Sequence, residues 1–382
     1  MILLLVIGNP LDIKCWSGTP FFLLKALEAK NHSVIAPDTS YGRFNVIRFL
    51  WCVYRLLCGR RPYGFQYSDT FERYFIRRHL ESLSPADVVL SLNTHIPSKK
   101  LITELQLTVV HYDDSTIHQI VSDPNYYWSS ISLRDNWVFE KEKAALEASR
   151  WLIGMTEYAE QGFKHHLGVD SNQTRYILGG VNLSQQLERE LATACTGQLR
   201  SPDELHFGLI AVDPEFKGYN ELKELMQVLE GRGIRCYAHV IGGFPKEPCE
   251  RTECYGFVDK SKEPEKFLEI LSRMSYGWLY PKFEAFGITV LEFYSFGVPM
   301  IALGEFGPKS TASNQLGLAL EIHESMEEIA DRILKHWRTG EYHQCEHRIR
   351  EIRKQLTWER AVDEILSLLD SPEELIPFRL PR

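Results

Sequence analysis

What this 382-residue chain has little of narrows its function first. It has no basic excess: 43 Lys and Arg stand against 51 Asp and Glu, and a formal net charge of -8 offers no bulk attraction for nucleic acid. It has no apolar run long enough to span a bilayer, and "MILLLVIGNP" has neither the basic n-region nor the small-residue cleavage site of a secretory signal. That opening stretch is expected to be a buried first strand, and the expected location is the cytoplasm. Eight cysteines are scattered through the chain, where reduced thiols are expected. Cys249 and Cys254 lie close together but lack the second pair, or histidine pair, that would complete a zinc site. No resident metal or cofactor is therefore expected. Neither a solenoid repeat nor a low-complexity tract is visible.

What is present is the composition of a soluble globular protein, 44% apolar and 25% charged, at a length that implies two domains. The first half alternates strand and helix: "ILLLVIG", a periodic helix from Thr19 to Lys30, "HSVIAP", "ADVVLSL", "LTVVHY", a helix around 137 to 148, and "RWLIGMT". From Asn182 to Glu204 the chain turns polar, as a linker would, and then the rhythm restarts with "LHFGLIAV", a helix stopped by glycine, "RCYAHVIGG", "SYGWLYP" and "VPMIAL". Charge-rich helices are expected over most of the remainder. The expected domains are 1–183, 184–358, and a closing helix and tail over 359–382. Both halves predict doubly wound parallel sheets, whose ligands lie beyond the carboxyl ends of the strands. Residues 44 to 64 are unusual, with aromatics, leucines and four arginines but no acid. They suit either an anionic membrane surface or lipid-linked acceptor, or a core-packed helix followed by a basic loop.

The chemistry concentrates in "FEAFGITVLEFYSFGVPMIA", residues 283 to 302, where Glu284 and Glu292 stand in an apolar run. On one helix they would lie about 80° apart in azimuth and roughly 12 Å apart along the axis, too far to act as acid and base on one bond. Each is expected to address a different part of one extended ligand. The pattern puts Glu284 in a strand-end loop, Gly287 at a helix start and Glu292 inside the helix, which Gly297 ends. Free N–H groups near Gly287 and Ile288, with the helix dipole, suit a diphosphate.

"YPKFEAFGITVLEFYSFGVPMIA" resembles the signature of the retaining glycosyltransferases of family 4, which have the GT-B fold. The resemblance runs from residue 1 to about 368, strongest over 278–302 and weakest over 40–85. It implies an α/β protein of two Rossmann-like domains facing each other across a cleft. It also implies transfer of a sugar, with retention, from a UDP- or GDP-linked donor to a hydroxyl of a glycan, a lipid-linked or a small-molecule acceptor, without a metal. Peripheral membrane contact would follow from a lipid-linked acceptor.

In that family the counterpart of Glu284 contacts the donor sugar, that of Glu292 holds the ribose, and the backbone around Phe286, Gly287 and Ile288 meets phosphates and sugar. "VDPEFKGYNELKEL" is similar to the segment whose lysine, here Lys217 before Gly218, reaches the diphosphate. The arginine that commonly precedes it is replaced here by Ala211 or Phe216. Gly256, Phe257 and Val258 match the strand and loop that receive the base. Gly18 matches the glycine of the first loop, although Ser17 or Thr19 would also serve as a helix cap. His111, Asp113 and Asp114 fall where the family faces the donor sugar, with Asp114 favoured and His111 next; a turn and helix cap is the other reading of this stretch. "GGVN", residues 179 to 182, resembles the opening of the crossing between domains, and Trp358 a packing residue of the closing helix. An epimerase of the same fold and a non-catalytic partner subunit remain as alternatives.

Overall fold

The structure, a computed structural model, describes residues 1–42, 45–123, 136–166, 168, 171–184, 187, 201–260, 262–373 and 375–382. Most of the polar linker expected over 182–204 lies outside the described residues. The chain divides into one unit of Met1–Leu178 with Ala361–Pro377, and a second of Gly179–Arg360 with Phe378–Arg382.

The first unit is built on a parallel sheet of β1 (Ile2–Leu5), β2 (Val34–Ile35), β3 (Val88–Ser91), β4 (Thr108–Asp113), β5 (Trp151–Gly154) and β6 (Thr174–Tyr176), in the order β2-β1-β3-β4-β5-β6. Leu3, Leu4 and Leu5 are all fully buried, as expected of a strand covered on both faces. The helix Thr19–Ala29 follows β1, one residue shorter than its periodicity suggests. The unusual arginine-rich stretch forms the helix Val46–Leu57, whose first turn is capped by Asn45 accepting from the Arg48 N–H at 3.2 Å. Its inner face buries Trp51 against Phe65, and the buried Arg55 guanidinium lies 5.3 Å from the centre of the Trp51 ring.

The second unit repeats the plan with β7 (Glu204–Ala211), β8 (Arg235–Gly242), β9 (Thr252–Gly256), β10 (Tyr276–Leu279), β11 (Met300–Leu303) and β12 (Gly317–Leu320), all parallel, in the order β12-β11-β10-β7-β8-β9. The order reverses between β7 and β10, and in open parallel sheets ligands sit at such a switch point, beyond the carboxyl ends of the strands. Met326–Arg338, Glu341–Ile352 and Trp358–Asp370 are the charge-rich helices expected at the end. Short β12 was not foreseen, because "GLAL" is too brief to carry a period. No helix among the described residues is long and apolar enough to cross a membrane.

One packing feature seats the helix Ile288–Ser295. Gly208 of β7 and Gly277 of β10 are direct cross-strand partners, and the Phe293 ring rests over both. A Cβ at Gly277 would come within 2.6 Å of that ring and closer still to Met300 Sδ; one at Gly208 would come within 2.9 Å of the ring. The far end of the helix is fixed by Gly297 at φ +78, with Gly297 N–H donating to Tyr294 O at 2.9 Å and Val298 N–H to Phe293 O at 3.0 Å. Gly277→Ala is therefore expected to cost roughly 1–3 kcal/mol by overpacking, read as a lowered melting point in thermal denaturation.

Candidate functional site

The two loops at the switch point of the second sheet are bonded to each other. Tyr280 N–H donates to Lys217 O at 3.1 Å, Lys282 N–H to Phe216 O at 3.0 Å, and the Trp278 indole to Gly218 O at 2.8 Å. Gly218 adopts φ +93, and a Cβ there would sit 2.6 Å from that of Tyr280, so only glycine allows this approach. Asp213 closes the turn before it, accepting from the Phe216 N–H at 2.9 Å. The result places the Lys217 ammonium on the partly buried Glu284 carboxylate. Burial alone would raise the Glu284 pKa. The Lys217 charge and hydrogen bond, with N–H groups of Gly287 and Phe286, outweigh burial and hold it below its ordinary value.

Gly287, at φ +75, opens the helix Ile288–Ser295 with no side chain of its own to cap it. A third loop walls this start: Gly307 N–H donates to Glu284 O at 3.0 Å, and a Cβ on Gly287 would stand 3.2 Å from Pro308. One turn on, Glu292 is 2% exposed and ion-paired with Lys260, which also lies 5.2 Å from the Phe267 ring centre. Glu292 Oε2 and Thr289 Oγ1, three positions apart and so on one helix face, are both buried without a hydrogen-bond partner. Orphaned buried polar atoms are rare enough to require an explanation.

Of the expected residues, Lys217, Glu284 and Gly287 come together, with Ile288 and Glu292 continuing along the same helix. Phe257 leaves its ring 70% exposed beside β9, whereas Val258 is buried and offers only backbone. The Phe286 ring turns inward, so close to Gly179 that a Cβ there would touch it, and its N–H reaches Glu284 at 3.4 Å. Trp358 packs as expected, with its indole donating to Asn182 at 2.8 Å. Lys260 was missed, because a lysine in "VDKSKEPEK" resembles a solvated charge run.

In the first unit Gly18 is the N-cap of the helix Thr19–Ala29 at φ +95, after Trp16 at φ 48 and Ser17 at φ 55. Three consecutive left-handed residues are a strained turn of the kind found at functional loops. Gly18, as the N-cap residue, has no side chain to cap the helix. At the end of β4, Asp114 is partly accessible, and its carboxylate accepts from Ser115 at 2.9 Å. The cap of the next helix is Thr116, in a capping box with Gln119.

His111 is fully enclosed, and burial drives its pKa down to about 3, so its imidazole stays neutral throughout the physiological range. Around it lies a cluster that the sequence did not announce. His95 is pushed down to about 3 by burial. Burial raises Asp113 well above the ordinary range, helped by the Asp114 charge. Glu142, enclosed on its helix, rises to about 7 through burial while accepting from Thr94 and from the Ile117 N–H at 2.7 Å. Among the described residues no group of three His, Cys, Asp or Glu is arranged to hold a metal ion.

No family model matches the chain, and no curated protein matches its sequence. Solved structures do match its fold. The lipopolysaccharide outer core galactosyltransferase WaaB superposes with a TM-score of 0.68 at 12% identity, over 97% of this chain and 100% of that one. The fold is GT-B. WaaG, a glycosyltransferase involved in lipopolysaccharide biosynthesis, matches at 0.65 and 12% identity over 97% and 100% of the two chains. Anabaena HepE, solved with UDP and glucose, matches at 0.62 and 14% identity over 97% and 99%.

The titrations in the first unit oppose each other. His111, depressed from 6.5 to about 3, gives stability that is full above about pH 6.5 and lost as pH falls toward 3. Glu142, raised from 4.5 to about 7, gives stability that is full below about pH 4.5 and lost as pH rises through 7. Relative to the wild type, His111→Gln should therefore lose less thermal stability between pH 7 and pH 4, and Glu142→Gln should lose more, by roughly 1–3 kcal/mol each. Melting curves at the two pH values check this.

Proposed function

We propose that the protein is a retaining glycosyltransferase that moves a sugar from a nucleoside-diphosphate donor to a hydroxyl acceptor without a metal ion. The observation that carries the reading is the helix Ile288–Ser295. It starts on Gly287, whose N–H meets the Glu284 carboxylate, it carries two buried polar atoms lacking partners on one face, and each of the two motif glutamates holds a lysine. The HepE structure with UDP and glucose, on the same fold, supports uridine as the nucleotide.

In this reading the donor ribose takes Glu292 in place of Lys260, and its hydroxyls satisfy the oxygen that lacks a partner. The donor sugar takes Glu284, which frees the Lys217 ammonium for the diphosphate. The exposed Phe257 ring is available to stack on the base. The bond from the anomeric carbon to the diphosphate oxygen breaks, a bond from the acceptor oxygen forms on the same face, and the acceptor proton passes to the departing diphosphate. Negative charge grows on the leaving group, where Lys217 and the N-terminal dipole of the helix stabilise it. Lys217 would carry this alone among the motif's cations, since Ala211 and Phe216 stand where the family commonly has an arginine. Asp114 and Gly18 are the first unit's candidates for contacts to donor and acceptor, and the acceptor is a glycan or a lipid-linked hydroxyl.

A thermal-shift series with UDP and GDP tests the binding half. A concentration-dependent rise in melting point is expected with UDP, and no rise with either nucleotide would sink the reading. Glu292→Gln is expected to weaken UDP binding by roughly tenfold to a hundredfold, the worth of a hydrogen bond to a charged group. Glu284→Gln should lower kcat more than it weakens binding, measured with whichever donor shifts the melting point. Activity that disappears in EDTA would overturn the metal-free assignment.

A further inference from the structure

The helix Val46–Leu57 has a second apolar face that nothing among the described residues covers. Val46, Phe49, Leu50, Val53, Tyr54 and Leu57 recur at helical spacings of three and four, and they are 68%, 65%, 60%, 37%, 63% and 83% exposed. Trp51 and Arg55, which anchor the helix to the core, project from the other side. Six large side chains left wet along one line form the kind of contiguous patch that marks an interaction surface.

Charge identifies what the patch fits. Residues 39 to 68 contain five arginines and no Asp or Glu, in a chain whose formal net charge is -8. Arg60 and Arg61 are exposed immediately beyond the helix, whereas Arg48 lies on the core side, with its guanidinium 5.5 Å from the centre of the Tyr41 ring. An apolar stripe with cations at its edge and no acid nearby has the makings of a helix that lies in the headgroup layer of an anionic bilayer. A second copy of the chain fits less well, since a two-fold contact through this face would set the same arginines against each other. We propose that this face docks the protein on the surface of an anionic phospholipid membrane, with the apolar residues entering the interface and Arg60 and Arg61 meeting the headgroups. This inference is independent of the donor-site reading.

The test is co-sedimentation with vesicles of phosphatidylcholine alone and of phosphatidylcholine with phosphatidylglycerol. The wild type is expected to sediment with the mixed vesicles only, and less so as salt rises. Phe49→Ser/Leu50→Ser/Leu57→Ser should remain in the supernatant. Arg60→Ser/Arg61→Ser should bind about thirtyfold more weakly and lose most of its salt dependence. Because all five positions are exposed, both variants should melt with the wild type and keep any UDP-induced shift, which separates this result from failure of the donor site. Wild type left in the supernatant, or variants that sediment like it, would overturn the proposal. So would a lipid-free dimer that the serine triple variant converts to monomer.

Discussion

A carboxylate taken out of water needs a cation close by, and the second unit supplies one lysine to each of its two motif glutamates. Lys217 comes from the loop after β7, Lys260 from the loop after β9, and Glu284 and Glu292 from the loop and helix after β10. Three strand ends of one sheet therefore have to be in register for the charges to cancel. That register rests on the backbone bonds between residues 216–217 and 280–282, and on a glycine at 218 that lets the two loops touch. The two pairs also leave the site balanced before any ligand arrives. In the function proposed above, a polyhydroxylated anion would take over both sides of each pair, its hydroxyls going to the acids and its phosphates to an ammonium, without leaving a buried charge alone.

Around the end of β4 the first unit handles buried ionisable groups in the other way. Asp113 and Glu142 are raised toward the protonated form, and His95 and His111 are kept neutral, so burial is met by removing charge rather than by pairing it. Glu142 accepts from Thr94 and from the start of the short helix after β4, and so ties down the turn that holds Asp114. The second unit is thus poised to exchange charged partners, while this part of the first unit is a fixed support for one accessible carboxylate.

Much of this was legible in the sequence, and for identifiable reasons. All-apolar runs ending in glycine or polar turns marked β1, β3, β4, β7, β8, β10 and β11, because buried parallel strands leave no alternative composition. Glu284, Gly287 and Glu292 were visible because they lie within one contiguous strand–loop–helix segment. Lys260 and Glu142 were not, because their importance comes from partners 32 and 25 residues away, and in the sequence each is one more charge in a charged run. His111 stands beside two aspartates and resembles a reactive cluster in the sequence, whereas β4 is buried on both faces and encloses the imidazole. The stretch 44–64 supported two readings; its helix packs one face on the core, as the second expects, and leaves the other face exposed.

The facing glycines of β7 and β10 carry a further consequence. The hollow that receives Phe293 is made by two missing side chains on different strands, so none of the three positions can drift alone. A smaller residue at 293 would leave a void, and a larger one at 208 or 277 would tilt the helix that presents Glu292 and the Gly287 start. Across descendants of this chain, the aromatic and the two glycines should be inherited as a set or exchanged together, with the mouth of the sheet keeping its shape only where all three changes arrive in step.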